Sequence, residues 1–269
     1  MLVPLAGGGG QETLLSEIGA LHLLPLFTTR EACALRLVCR EFLAAVTEQP
    51  WEDGATAIQG SLAACRACFP RALFANVARM SSCGGEVRTA PVADADFVHL
   101  AGLRELNLLG CWGVTDAAFV HLRGIRSLEM CLCHRVTDAA FVHLRGIHLL
   151  DMSPCLQLTD AAFVHLRGIR TLNMSQCIQP AITDAAFVHL RGIRTLVMWN
   201  CAQATVTGAT FGVLAGVGAL IVQECNGQAQ AAARALRLPV PRSLIDLGWP
   251  DCSNHPWRVP RSCLWTWPD

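Results

Sequence analysis

The sequence predicts an α/β repeat solenoid preceded by a small all-helical segment. Three observations predict it. The string Thr-Asp-Ala-Ala-Phe-Val-His-Leu-Arg-Gly-Ile occurs four times without change, starting at Thr115, Thr137, Thr159 and Thr183. Each copy couples a stretch of helical spacing to a short stretch of alternating spacing. Six cysteines (Cys111, Cys133, Cys155, Cys177, Cys201 and Cys225) keep the same phase in that repeat.

Composition sets the outer limits. The 269 residues are 52% hydrophobic and 16% charged, enough for a large core and too apolar for a wholly disordered chain. The 21 basic residues balance 21 acidic ones, which argues against bulk nucleic acid or an anionic membrane surface as partner. Every basic residue is Arg, and Lys and Tyr are both missing, as a GC-rich genome would produce. No apolar run approaches the roughly 20 residues of a membrane span. The amino end lacks the basic start and long apolar run of a signal peptide. Cysteines in phase with the repeat read as buried single thiols of a reducing compartment, so a cytoplasmic or nuclear location is expected.

Residues 1–11, with Gly7 to Gly10, read as a flexible tail. Residues 12–54 are helical in pattern. Leu14, Leu15 and Ile18 keep helical spacing, and Leu23-Leu24-Pro25-Leu26-Phe27 follows. Thr28-Thr29-Arg30-Glu31 supplies a helix start, and one helix is expected from Ala32 to about Val46, with Leu35, Val38, Cys39 and Phe42 on one face. Trp51 closes the segment after Pro50. Short helices totalling about 40 residues bury too little core to stand alone.

The run Leu35-Arg36-Leu37-Val38-Cys39-Arg40-Glu41-Phe42, with Trp51 beyond it, resembles an F-box. The Leu-Pro-x-Glu opening of that family is replaced here by Leu15-Ser16-Glu17-Ile18. The resemblance implies docking onto a Skp-family adaptor of a cullin–RING ubiquitin ligase. Its docking residues would be Leu15, Ile18, Leu23, Leu24, Leu26, Leu35, Leu37, Val38, Phe42 and Trp51. The same segment also reads as a cap over the open apolar end that every repeat array has. The two readings differ in whether its apolar face is free or lies against the first repeat.

Residues 55–91 read as a linker and a degenerate first repeat between Cys65 and Met80. Cys65 and Cys68 have no second pair for a zinc finger and no redox frame around them. Gly7 to Gly10 lacks the Lys and Ser or Thr of a phosphate loop. No catalytic constellation is present, so no enzyme activity, cofactor or metal site is expected.

Residues 92–227 hold six units starting at Val92, Val114, Val136, Leu158, Ile182 and Val206. In each, Phe119 and Leu122 or their equivalents share a helical face beside a small Ala. Thr115 caps, Asp116 suits the helix dipole, Arg123 sits at the far end, and Gly124 suits a left-handed stop. Then come Leu106-Asn107-Leu108 and its counterparts, strands of period two. The frame Leu103-x-x-Leu106-x-Leu108-x-x-Cys111 resembles the cysteine-containing leucine-rich repeats, with units trimmed by about one helical turn. That resemblance implies a right-handed solenoid, strands concave and helices convex, whose concave side holds a protein partner.

The outward strand positions vary between copies, which reads equally as an adjustable binding face or as drift after duplication, and Glu105, Asn107, Glu129, Asp151, Asn173, Thr195 and Trp199 are the candidate partner-binding residues. The ladder His99, His121, His143, His165 and His189 lacks a Cys or carboxylate companion for a metal. The Arg ladder reads as helix capping offset by the Asp ladder. Residues 228–269 offer an Ala/Arg helix and a Pro/Trp-rich tail that reads equally as a cap over the last repeat or as poorly ordered. The function expected is substrate recognition in a ubiquitin ligase, with a plain protein-binding scaffold as the alternative.

Overall fold

The computed structural model describes residues 27–35, 37, 40–48, 50–53, 56, 58, 60–78 and 92–236. Seven three-residue strands form one sheet, every neighbour parallel and in chain order. They are β1 (Phe74–Asn76), β2 (Glu105–Asn107), β3 (Ser127–Glu129), β4 (Leu149–Asp151), β5 (Thr171–Asn173), β6 (Thr195–Val197) and β7 (Ala219–Ile221). The register aligns Leu106, Leu128, Leu150, Leu172, Leu196 and Leu220. This is the α/β leucine-rich-repeat solenoid that the repeat pattern predicts.

The convex half of each unit differs in kind from the expected short α-helix. Asp94–Leu100, Asp116–Leu122 and Asp138–Leu144 are 3-10 helices, and only Asp160–Phe163 and Asp184–Phe187 are single α-turns. Seven residues separate the Thr cap from the following Arg, and the two apolar anchors lie three apart, which matches three residues per turn. Ala118 N–H accordingly donates to Thr115 O at 3.2 Å. Gly124, Gly146, Gly168 and Gly192 end these turns at φ of +80° to +86°.

Stacking copies stacks their side chains. Phe97, Phe119, Phe141, Phe163, Phe187 and Phe211 make a buried column, with ring centroids 6.4 Å apart at Phe163–Phe187 and 5.1 Å at Phe187–Phe211. The six in-phase cysteines are buried thiols. Each thiol donates back to a carbonyl of the preceding repeat (Val77, Leu108, Met130, Met152, Met174 and Met198) at 2.7–3.6 Å. A small apolar thiol thus satisfies a strand carbonyl that apolar neighbours could not.

At the amino end, two helices stand where one is expected: α1 (Thr29–Leu35) and α2 (Arg40–Glu48), separated by a turn in which Leu37 N–H donates to Ala34 O. They reach α3 (Leu62–Cys68) through a small core of Ala32, Val46, Trp51 and Phe69. Trp51 stacks on Phe69 at 4.8 Å, and its backbone pairs in parallel with Ala72 just before β1. At the other end, the helix Gly227–Ala235 closes the array against Gly208, where even a Cβ would lie 2.4 Å from Ala232 Cβ. No helix among the described residues is long and apolar enough to cross a membrane.

Candidate partner-binding face

The concave side of β2–β6 is built from columns of aligned side chains. The central column runs Asn107, Glu129, Asp151, Asn173 and Val197, one per strand, about 4.8 Å apart. Its polar members bond both sideways and along the chain. Asn107 Nδ2 donates to Glu129 Oε2 at 2.7 Å, and Asn173 Nδ2 donates to Asp151 Oδ2 at 2.9 Å. Asn107, Asp151 and Asn173 also accept the backbone N–H two residues onward, at Leu109, Ser153 and Ser175. Short amide and carboxylate side chains favour such local bonds, and here they hold each strand's exit turn.

Two candidates do not stand on the surface as expected. Asp151 is only 1% exposed and Thr195 only 2%. Asp151 lies behind the face because Ser153 N, Ser153 Oγ and Asn173 Nδ2 all donate to it. Thr195 sits in the first column between Thr171 and Ala219, both buried. Glu105 is exposed, while Asn107, Glu129, Asn173 and Trp199 are half-buried. The accessible face is therefore narrower than the sequence implies: an acidic and amide half at Glu105, Asn107 and Glu129, and an apolar end at Trp199.

Burial pushes the Glu129 carboxyl up to about 7, with the charges of Asp151 and Glu105 acting in the same direction. Glu105 is also raised, by burial and then by Glu52. The acidic half thus takes up a proton near neutrality unless a cation joins it.

Leu15, Ile18, Leu23, Leu24, Leu26 and Val38 lie outside the described residues. Leu35 falls at the end of α1 and Phe42 within α2. Leu37 is 89% exposed in the turn between them, whereas Trp51 is 5% exposed and faces Phe69 instead of solvent. A cavity of about 20 Å³, room for one water, remains at this junction beside Trp51, Phe69 and Arg66. The Cys65 thiol there is pushed up to about 11 by burial, then by Cys33 and Cys68, so it is a poor nucleophile at neutral pH.

On the convex side two of the ladder histidines pair with arginines one repeat earlier. Arg123 Nε donates to His143 Nδ1 and Arg145 Nε to His165 Nδ1, each at 3.3 Å. Among the described residues no group of three His, Cys, Asp or Glu is placed to hold a metal ion. The Asp ladder has a role that the sequence conceals. Asp94, Asp116, Asp138, Asp160 and Asp184 each accept the N–H (2.7–3.1 Å) and hydroxyl (2.5–2.6 Å) of the Thr that caps the next repeat. The partner lies a full repeat away, so only the stacked structure reveals it.

No protein-family model matches the chain, and no curated protein matches it. Solved structures do. The chain resembles one in the TLR13–ssRNA13 complex at 17% identity and a TM-score of 0.50, over 77% of this chain and 29% of that one. It also matches one in the complex of Rad7 and Elc1 in yeast (23% identity, TM-score 0.36, 46% of this chain and 36% of that one). A third match is the Toll–Spatzle complex of Drosophila (12% identity, TM-score 0.45, 65% of this chain and 26% of that one). The chain thus spans between 26% and 36% of the length of these three. The first of them supports the leucine-rich-repeat fold.

Proposed function

We propose that the chain is a protein-recognition scaffold that performs no chemistry of its own and holds a partner on the concave face from Glu105 to Trp199. One observation carries this reading. The outward strand positions change between copies along one continuous sheet face, as do the connectors after each in-phase cysteine, while the 11-residue convex string is unchanged in four copies. Trp199 provides a large half-buried ring of the kind that anchors interfaces, and Glu105 and Glu129 favour a cationic group at the other end of the face. Burial of Trp51, Ala32 and Val46 with Phe69 supports a capping role for the amino-terminal helices.

The test is capture of partners by the intact chain, compared with Glu105→Arg/Trp199→Ala and with the exposed control Arg135→Ser. The same partner should be lost from the concave variant and kept by the control, with unchanged circular dichroism. Equal loss in both, or retention by the concave variant, would overturn the reading.

A second reading is favoured by Leu37, whose 89% exposure inside the F-box-like run leaves an apolar side chain without cover. In it the chain is the substrate receptor of a cullin–RING ligase. Co-purification with a Skp-family adaptor, abolished by Leu37→Asp, supports this reading; failure of the folded wild type to retain the adaptor sinks it.

A further inference from the structure

The charge of this chain sums to zero, but the fold separates it. The residue immediately before each of β2–β6 is Arg104, Arg126, His148, Arg170 and Arg194. Their backbone carbonyls form a continuous ladder. Arg104 O accepts from both Arg126 N and Ser127 N, Arg126 O from His148 N and Leu149 N, and so on to Arg194 O. The ladder fixes these five residues in a column at the strand spacing of about 4.8 Å. All four arginines are exposed, and their side chains form no hydrogen bond or ion pair with a described residue. A second exposed row, Arg123, Arg145, Arg167 and Arg191, lies three residues earlier.

No carboxylate lies within the five loops that carry these residues, 101–104, 123–126, 145–148, 167–170 and 191–194, and the nearest in sequence is Glu105, beside Arg104. The Asp ladder does not compensate them. It sits at the opposite end of each convex turn from the second Arg row, although Asp138 lies near enough to act on the His165 imidazole of the next repeat. The ladder's oxygens are also occupied by the Thr of the next repeat. Stacked guanidinium groups at this spacing repel one another, so the bare edge is unfavourable by itself. The lowering of the His148 pKa by burial, then by Arg170 and Arg126, reports the same field.

We infer that this edge is a second interaction surface, distinct from the concave face, and that it takes an acidic polypeptide segment lying along the stack. Charge complementarity identifies the partner as anionic. Two further features favour a polypeptide over a nucleic acid. Neither row carries a Phe, Tyr or Trp on which bases could stack, and the one imidazole, His148, is half-buried. Val120, Val142, Val164 and Val188 stand exposed beside the second Arg row and offer contact to apolar residues between the acids. Five rungs span about 19 Å, the length of about six extended residues at about 3.3 Å each.

The experiment is fluorescence anisotropy of the full chain with a labelled peptide of alternating Glu and Val, against the Gln–Val peptide and an oligouridine. The acidic peptide should bind at least tenfold more tightly than its Gln counterpart, and weaken about tenfold between 50 and 300 mM salt. Arg126→Glu/Arg170→Glu/Arg194→Glu should weaken it at least tenfold, while Arg135→Glu, exposed but off this edge, should not. If the triple variant loses its circular dichroism, Arg170→Gln alone should still weaken binding about threefold. Equal binding of the Gln and Glu peptides, or of wild type and Arg170→Gln, overturns the inference. Tighter binding of oligouridine than of the acidic peptide also overturns it and assigns the edge to nucleic acid.

Discussion

The array between residues 92 and 226 and the segment between 27 and 53 reach burial by opposite means. In the array, one set of contacts is made again at every repeat: Phe on Phe, thiol to carbonyl, Asp to Thr. The amino-terminal segment is attached by contacts that occur once, chiefly Trp51 on Phe69 and the backbone pairing of Trp51 with Ala72. Repetition makes a structure redundant, since neighbouring rungs survive the loss of one. A single anchor has no such reserve.

The largest expected effect tests the redundant side. Phe141 is fully buried in the middle of the aromatic column, and Phe141→Ala should destabilise the array by about 3–5 kcal/mol, read as a lower urea midpoint. Trp51→Ala should remove a contribution of about 3 kcal/mol in a different manner. Trypsin should cut near Arg30 and Arg40 sooner, while the urea midpoint of the array stays within about 1 kcal/mol of wild type. A fall in that midpoint as large as that from Phe141→Ala would mean that the two regions unfold as one unit, and would break the comparison.

The array was legible because copying places the same side chain at the same point in space. The phase of Leu and Cys yields strands and buried thiols, and Thr before Asp-Ala-Ala yields a cap that the structure forms, with Ala117, Ala139, Ala161 and Ala185 N–H donating to it at 3.1–3.4 Å. Helix type was not legible, since Phe119 and Leu122 share a face in both an α-helix and a 3-10 helix. Nor was the burial of Asp151 and Thr195, which depends on donors and neighbours contributed by adjacent strands. Trp51 reads as an adaptor contact by its place after Phe42, but its burial depends on Phe69, a residue with no signal in the repeat.

A smaller effect probes the concave face within the array. The Glu129 carboxyl is raised from an ordinary 4.5 to about 7. The folded chain therefore keeps a proton that the unfolded chain releases, so stability is greatest below pH 4.5, falls as pH rises toward 7, and is level beyond. The fall attributable to this group is about 3 kcal/mol. Urea midpoints taken from pH 4.5 to 8 should show that decline in wild type and a shallower one in Glu129→Gln. Identical profiles would place Glu129 in water and remove the cation preference of the acidic half.

The smallest effect asks whether repeats are as interchangeable as their contacts suggest. The residue before each in-phase cysteine is left-handed in five copies: Gly110, Leu132, Gln176, Asn200 and Glu224 have φ between +54° and +74°. At Pro154 the ring forbids it. Glycine tolerates this geometry, whereas an ordinary side chain pays about 1 kcal/mol for it. Glu224 is exposed, so its removal sacrifices little packing. Glu224→Gly should therefore stabilise the last repeat by about 0.5 kcal/mol, after allowing for the freedom glycine adds to the unfolded chain. Gly110→Ala should lose about 1 kcal/mol at the equivalent turn, and Asn200→Gly should change little because Asn already accepts the left-handed region. Differential scanning calorimetry of the three separates the cases. Equal shifts for Glu224→Gly and Asn200→Gly would show that position in the stack, and not backbone geometry, sets the energy of this turn.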